Sequence, residues 1–299
     1  MSANPFDQGC RYLCKMEPIA MIAWLMSIPR DDFTFHDWLD TRRIPFPGEP
    51  NRTCDTVAYL DSLMDGGRAW AVIIEFQITP DAKMFGWLMV YGGHVWLELK
   101  PRKGKRDRFE VGAIIVNLTN KRRTARDMHW KSAKLRLQMD PIERNLSELQ
   151  AATILSDIES GTAPMVILPW IPLMQGGCEP DIIEKWIQIA KSEPDRERRG
   201  DFGHLAKVFA GAVGCKEVWK SRLEEWNVVR SEVVDEWKAE TVQKSIRSIL
   251  KARFGSIPKS VEDALASITD LDVLESLVAP SAIAPDMKTF RSALPKAGE

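Results

Sequence analysis

The stretch from Cys54 to Ile78 restricts the folds open to this chain more than any other. Two apolar arms, Cys54-Asp55-Thr56-Val57-Ala58-Tyr59-Leu60 and Ala69-Trp70-Ala71-Val72-Ile73-Ile74-Glu75-Phe76-Gln77-Ile78, flank Met64-Asp65-Gly66-Gly67-Arg68. Asp-Gly-Gly between β-branched and aromatic runs predicts a β-hairpin, because glycine takes positive-φ turn positions without steric cost. A turn centred on Asp65 sets Asp55 opposite Glu75. Side chains alternate along a strand, so Gln77 then shares the face of Glu75. That face also carries Val57, Tyr59, Ala71 and Ile73, and the other carries Thr56, Ala58, Leu60, Val72, Ile74, Phe76 and Ile78. With both faces largely apolar, the hairpin is expected at the centre of a sheet covered on both sides.

Placing Asp55 beside Glu75 is electrostatically costly. Directly opposed residues have Cβ atoms about 5 Å apart, and two carboxylates at that range repel unless a cation lies between them. A hard divalent ion held by oxygen ligands, as Mg²⁺ is held beside phosphates, meets that need. The alternative is two acidic residues at strand ends reached by water, and Asp followed by Glu-x-Gln is common by chance. The residues alone leave both readings open.

The flanking pattern alternates helix and strand. Tyr12, Leu13, Met16, Ile19, Ala20, Ala23 and Trp24 predict a helix from Pro5 to Met26, or two shorter helices divided at Pro18. After the Pro-rich connection 44–48 and the hairpin, Met84, Trp87, Leu88, Tyr91 and Val95 recur at helical spacing, weakened by Gly92-Gly93. Val111 to Leu118 reads as a buried strand, and Met165 to Met174 as a further strand ended by Pro169. The expected fold class is α/β, with a mixed central sheet flanked by helices and a helical C-terminal region.

Trp186, Ile187 and Ala190, then Leu205, Val208 and Phe209, then Trp219, Leu223, Trp226, Val233 and Trp237 predict successive helices. These tryptophans read as core. Val242, Ile246, Ile249, Leu250 and Phe254 form one helix face closed by Gly255, with Pro258 beyond. Ser260 to Asp263 reads as a capping box opening the next helix, and Leu271, Leu274, Leu277 and Val278 continue the pattern. The expected domains are an α/β core at 1–178, a helical extension at 179–240 and a small helical domain at 241–299.

Charge bears on partners. Lys plus Arg, 41, nearly equals Asp plus Glu, 42, so overall charge points to no polyanion. Ten basic residues nevertheless fall between Lys100 and Arg126, against Asp107 and Glu110. They read either as a solvated turn or as phosphate contacts that do not select sequence. No apolar run is long enough to span a bilayer. The opening MSANPFDQGC lacks the pattern of a signal peptide. Five scattered cysteines without an export signal predict reduced thiols and a cytoplasmic location. Cys10 and Cys14 lie one helical turn apart, yet no second Cys or His pair completes a zinc site. The four His are isolated, and no chemistry is assigned to them.

The order of these motifs resembles the PD-(D/E)XK nuclease superfamily, and within it the bacterial recombination-promoting nuclease/putative transposase (Rpn-like) family. Asp7-Gln8-Gly9-Cys10-Arg11-Tyr12-Leu13 resembles that family's N-terminal Asp-x-x-x-(Lys/Arg) helix. Met84 to Tyr91 is similar to the amphipathic helix behind its metal-binding strand. Pro169-Trp170-Ile171-Pro172-Leu173-Met174, followed by Trp186, is similar to the segment after the core in its larger members. Leu223 to Trp226, Ser231 to Trp237, and Ile249 to Pro258 resemble later parts, the last a small attached domain of unknown function.

The resemblance implies a restriction-endonuclease-like core and DNA phosphodiester hydrolysis with Mg²⁺, or Mn²⁺ in its place. Asp55 and Glu75 are then metal ligands, joined by the carbonyl of Phe76, with Asp7 as a further acidic contributor unless it caps its helix. Gln77 stands where the superfamily usually has Lys. An amide cannot serve as a base near neutral pH, but it can orient water or hydrogen-bond a phosphate oxygen. Lys103, Lys105 and Arg106 are the expected DNA contacts. Lys100, Arg102, Arg108, Lys121, Arg122 and Arg123 extend that basic surface. The alternative is an inactive descendant serving as a nucleic-acid-binding or protein-interaction module. Homo-oligomerisation is left open.

Overall fold

The computed structural model describes residues 5–40, 54–102, 107–224 and 232–295. The chain divides into two compact units. One comprises Phe6–Pro194 with Leu205–Asn227; the other comprises Met1–Pro5, Asp195–His204 and Val228–Glu299.

The first unit is built on a mixed sheet of β1 (Phe33–Trp38), β2 (Thr56–Ser62), β3 (Arg68–Gln77), β4 (Glu110–Asn117) and β7 (Ile142–Asn145), in the order β1-β2-β3-β4-β7. β1, β2 and β3 run antiparallel, while β3, β4 and β7 run parallel. β5 (Arg126–Trp130) and β6 (Leu135–Met139) form a separate two-stranded sheet. The β2–β3 hairpin is central. Thr56 pairs with Ile74 and Ser62 with Arg68, the register set by a turn centred on Asp65. Gly66 and Gly67 adopt φ of 65° and 71°, which an L side chain disfavours. Gly67 N–H closes the turn onto Ser62 O at 2.8 Å.

Both hairpin faces are covered. On the acidic face, Val57, Tyr59, Ala71 and Ile73 pack against Met84, Leu88, Tyr91 and Val95, with Phe109 and Ile115. Those four side chains form one stripe of α3 (Met84–Glu98), which links β3 to the parallel β4. The Gly92-Gly93 pair does not end this helix. On the other face the Phe76 ring lies 6.3 Å from Trp170, which lies 6.1 Å from Trp24. Trp24 belongs to α2 (Pro18–Met26), divided from α1 (Pro5–Met16) at Pro18 as the two-helix reading expects. Arg144 of β7 donates to Leu25 O at 2.7 Å, satisfying the C-terminal end of α2.

Trp170 sits in a buried 3₁₀ segment, Met165–Leu173, where the sequence suggested a strand. Pro169 and Pro172 lack the N–H groups that a strand ladder needs, and the apolar run is used as core packing instead. α4 (Ala151–Glu159) precedes this segment, and α5 (Pro180–Lys191), α6 (Arg196–Ala212) and α7 (Lys216–Arg222) follow it. Trp186 and Trp219 meet edge to face at 5.3 Å. Beside them Cys178 and Cys215 form a disulfide, which corrects the expectation of five reduced thiols; Cys10, Cys14 and Cys54 are free and buried. Trp226 lies outside the described residues, as do the side chains of Val233 and Trp237.

The second unit holds α8 (Glu232–Phe254), α9 (Lys259–Ser267), α10 (Leu271–Ile283) and α11 (Met287–Ser292). Its core includes Ile246, Leu250, Val261, Leu265, Leu274 and Phe290. Gly255, at φ 78°, ends α8 as expected, its N–H reaching Lys251 O at 2.9 Å. The capping box does not form: α9 begins at Lys259 after Pro258, with no side-chain cap, so Ser260 lies inside the helix. Side-chain caps are supplied instead by Asp286, which accepts from Thr289 N–H at 2.7 Å, and by Asp270, which accepts from Val273 N–H at 3.2 Å. Among the described residues no helix is long and apolar enough to cross a membrane.

Candidate functional site

The site forms where the hairpin meets α1. Asp55 stands one residue before β2, and Glu75 lies near the C-terminal end of β3. Continuing the register from Thr56–Ile74 sets them opposite one another. Asp55 N–H donates to Glu75 Oε1 at 3.0 Å, and Phe76 N–H donates to Asp55 Oδ2 at 2.9 Å. Glu75 is only 6% exposed. Ligand sites in sheets with parallel strands commonly lie at the strands' carboxyl ends. Here the carboxylates sit at that end of β3.

α1 supplies the cation. Its buried stripe is Gly9, Cys10, Leu13 and Cys14. A Cβ on Gly9 would stand 3.1 Å from Leu205 and 3.2 Å from Phe209, so glycine permits the close approach of this helix. Asp7 and Arg11 are spaced i, i+4 and therefore share one face. Arg11 Nη2 donates to Asp55 Oδ1 at 2.6 Å, while Arg11 Nε is buried without a partner among the described residues. Asp7 lies within the first turn of α1, so the alternative of a helix N-cap does not hold.

The guanidinium is thus bonded to Asp55, and the charges of Asp7 and Glu75 also act on it. Burial, reinforced by the negative charge of Asp55, raises the Glu75 pKa well above the ordinary glutamate value. Burial is also the larger cause at Asp7, again aided by Asp55 and opposed by Arg11, and lifts its pKa to about 6. Cys54, adjacent and buried, is pushed up to about 12 by burial and by the same two strand carboxylates, which keeps it a thiol.

Gln77 projects from the Glu75 face and is 6% exposed. Its Oε1 accepts from Asp81 N–H at 2.6 Å, anchoring the turn that leads into α3. Its Nε2 is buried without a hydrogen-bond partner among the described residues. Across the parallel strands Gln77 aligns with Asn117, and Asn117 with Asn145. Asn117 donates to Asn145 Oδ1 at 2.8 Å, and Asn145 to Glu148 Oε2 at 2.8 Å. Neither asparagine was singled out from the sequence. The available signal was a lone amide ending the apolar strand Val111–Val116. Arg11 was visible only as part of a motif, because its contact with Asp55 spans 44 positions.

Lys103, Lys105 and Arg106 lie outside the described residues. Their neighbours are engaged with protein. Arg102 stands 5.8 Å from the centre of the Tyr59 ring, and Arg108 lies 5.4 Å from that of Trp96 while donating to Leu97 O. Lys121, Arg122 and Arg123 line a cavity of about 580 Å³ together with Asp140, Glu143 and Asn145. Lys121 pairs with Glu148 at 2.8 Å.

No three His, Cys, Asp or Glu side chains among the described residues converge as a metal cage. A Mg²⁺ ion acting on phosphates needs fewer protein ligands, one or two carboxylates completed by water and phosphate oxygens. The close pair of Asp55 and the buried Glu75 offers that donor set, with Phe76 O, next to Glu75 on β3, as a third oxygen. Comparison of the chain with protein-family models, curated proteins and solved structures finds no match.

Proposed function

We propose that this protein is a divalent-metal-dependent DNA endonuclease that hydrolyses phosphodiester bonds, on a restriction-endonuclease-like core of the Rpn-like kind. The observation that carries this reading is the pair of adjacent carboxylates at the strand end, Asp55 and the buried Glu75, joined through Asp55 N–H. Such a pair calls for a cation, and Arg11 compensates only part of the charge. Asp55, Glu75 and the carbonyl of Phe76 are assigned as the ligands of Mg²⁺ or Mn²⁺. When bound, the ion supplies a Lewis acid for the phosphate and a water of lowered pKa. Asp55 is held for this role by the Phe76 amide. Gln77 keeps one donor, Nε2, for a phosphate oxygen or the attacking water, its carbonyl being engaged by Asp81. The phosphodiester backbone is assigned to the basic residues, with Lys103, Lys105 and Arg106 as the expected contacts and Arg122 and Arg123 as a further patch.

One observation favours a second reading, a non-catalytic nucleic-acid-binding or protein-interaction module. Gln77 serves the fold through Asp81, and an amide stands where the superfamily usually has Lys. Cleavage of supercoiled plasmid separates the two. The nuclease reading expects nicking that requires Mg²⁺ or Mn²⁺, is abolished by chelator, and falls at least about 100-fold in Asp55→Ala and in Glu75→Ala, the scale of losing an electrostatic element of catalysis. Equal cleavage by both variants would reject it. Metal-independent retention of DNA without cleavage would favour the module.

A further inference from the structure

We infer that Arg11 is the resident cation of the Asp55–Glu75 site, and that a divalent ion enters by exchange against its guanidinium. This inference rests on the metal reading above. Both oxygens of Asp55 are engaged, and the two partners differ in kind. Oδ2 accepts from Phe76 N–H, a backbone donor fixed by β3. Oδ1 accepts from Arg11 Nη2 at 2.6 Å. Arg11 is a long side chain, 38% exposed, on a different element. Only the second contact can be released without breaking backbone structure, so Oδ1 is the oxygen open to a metal.

The exchange has an electrostatic reason. A guanidinium and a divalent ion on one carboxylate oxygen repel each other, so one excludes or weakens the other. With no ion bound, Arg11 offsets the repulsion between two carboxylates that the strand register forces together. It therefore holds Asp55 in position while lowering the affinity for metal. Arg11 is a positioning residue, and its removal should loosen the metal-free site yet tighten metal binding. A merely structural role would produce losses in both.

Mn²⁺ binding to the full chain, measured by isothermal titration with thermal unfolding in parallel, tests this. Arg11→Gln is expected to bind Mn²⁺ about tenfold or more tightly than wild type, the scale of one lost charge-assisted hydrogen bond. It should melt lower than wild type in chelator and gain more from Mn²⁺. Arg11→Lys, which keeps the charge but loses the planar fork, should fall between them, and it serves if Arg11→Gln does not fold without metal. Equal or weaker Mn²⁺ binding in both variants would overturn the exchange while leaving the metal site standing. Failure of wild type and both variants to bind Mn²⁺ would overturn the exchange together with the metal reading.

Discussion

Glu75 and Asp7 are carboxyl groups whose surroundings favour the protonated form. The Asp7 pKa is raised from 3.8 to about 6, first by burial and then by Asp55. Over that interval the folded chain retains a proton that the unfolded chain has lost. Stability from this group is fully present below pH 3.8 and is lost as pH rises through about 6. In chelator, Asp7→Asn should therefore flatten the decline of stability across this window by about 1–2 kcal/mol, a figure reduced for the half-exposed position. Urea unfolding at a series of pH values measures it, and an unchanged slope would count against the assignment. Gln77 makes a separate prediction. Lys at this position cannot accept the Asp81 N–H, so Gln77→Lys should cost about 1–3 kcal/mol of stability whatever it does to activity. Gln77→Glu retains an acceptor but adds a third carboxyl on this face. If Gln77→Lys unfolds at the wild-type denaturant midpoint, the hydrogen bond is not holding the turn.

At the scale of elements, the hairpin was the most legible part of the chain. Its turn residues and its alternation agree on one register, and a slip of one residue would turn Ile73 and Glu75 to the opposite face. Gly66 has open space around its missing side chain, so substitutions there test backbone conformation alone. Gly66→Val is expected to cost about 1–2 kcal/mol, and Gly66→Asn distinctly less, because Asn tolerates positive φ. Equal thermal stability of the two variants would contradict the turn conformation. Other elements were hidden for physical reasons. β1 is short, with His36 at a shift in its register, and β7 has only four residues, so neither shows a sustained period. The run Met165–Leu173 is apolar throughout, and periodicity cannot separate a buried 3₁₀ segment from a strand. Pro258 sets the helix start ahead of Ser260, the cap expected from the sequence.

For the whole molecule, the α/β class followed from local patterns, while the strand order did not. Nothing local in the sequence says that β7 extends the parallel side of the sheet, or that Asn117 and Asn145 thereby align with Gln77. The Asp55–Glu75 pair was legible because a tight hairpin joins the two strands. The meeting of Arg11 with Asp55 depends on tertiary packing of α1, and sequence spacing carries no trace of it. The separate core around Ile246, Leu250 and Phe290 leads to one prediction about modularity. Phe290→Ala should destabilise that unit by about 3–5 kcal/mol. Hydrogen exchange should show lost protection in α8–α11, with the amides of β3 unchanged, and equal loss in both places would contradict two independent cores. The central claim is that Asp55 and Glu75 together hold a divalent ion. Its most direct test is an anomalous difference map from a crystal of the wild-type protein equilibrated with Mn²⁺. The account predicts a peak at coordination distance from both carboxylates, absent from Asp55→Ala. A map with no peak there, or with Mn²⁺ bound equally in Asp55→Ala, would contradict it.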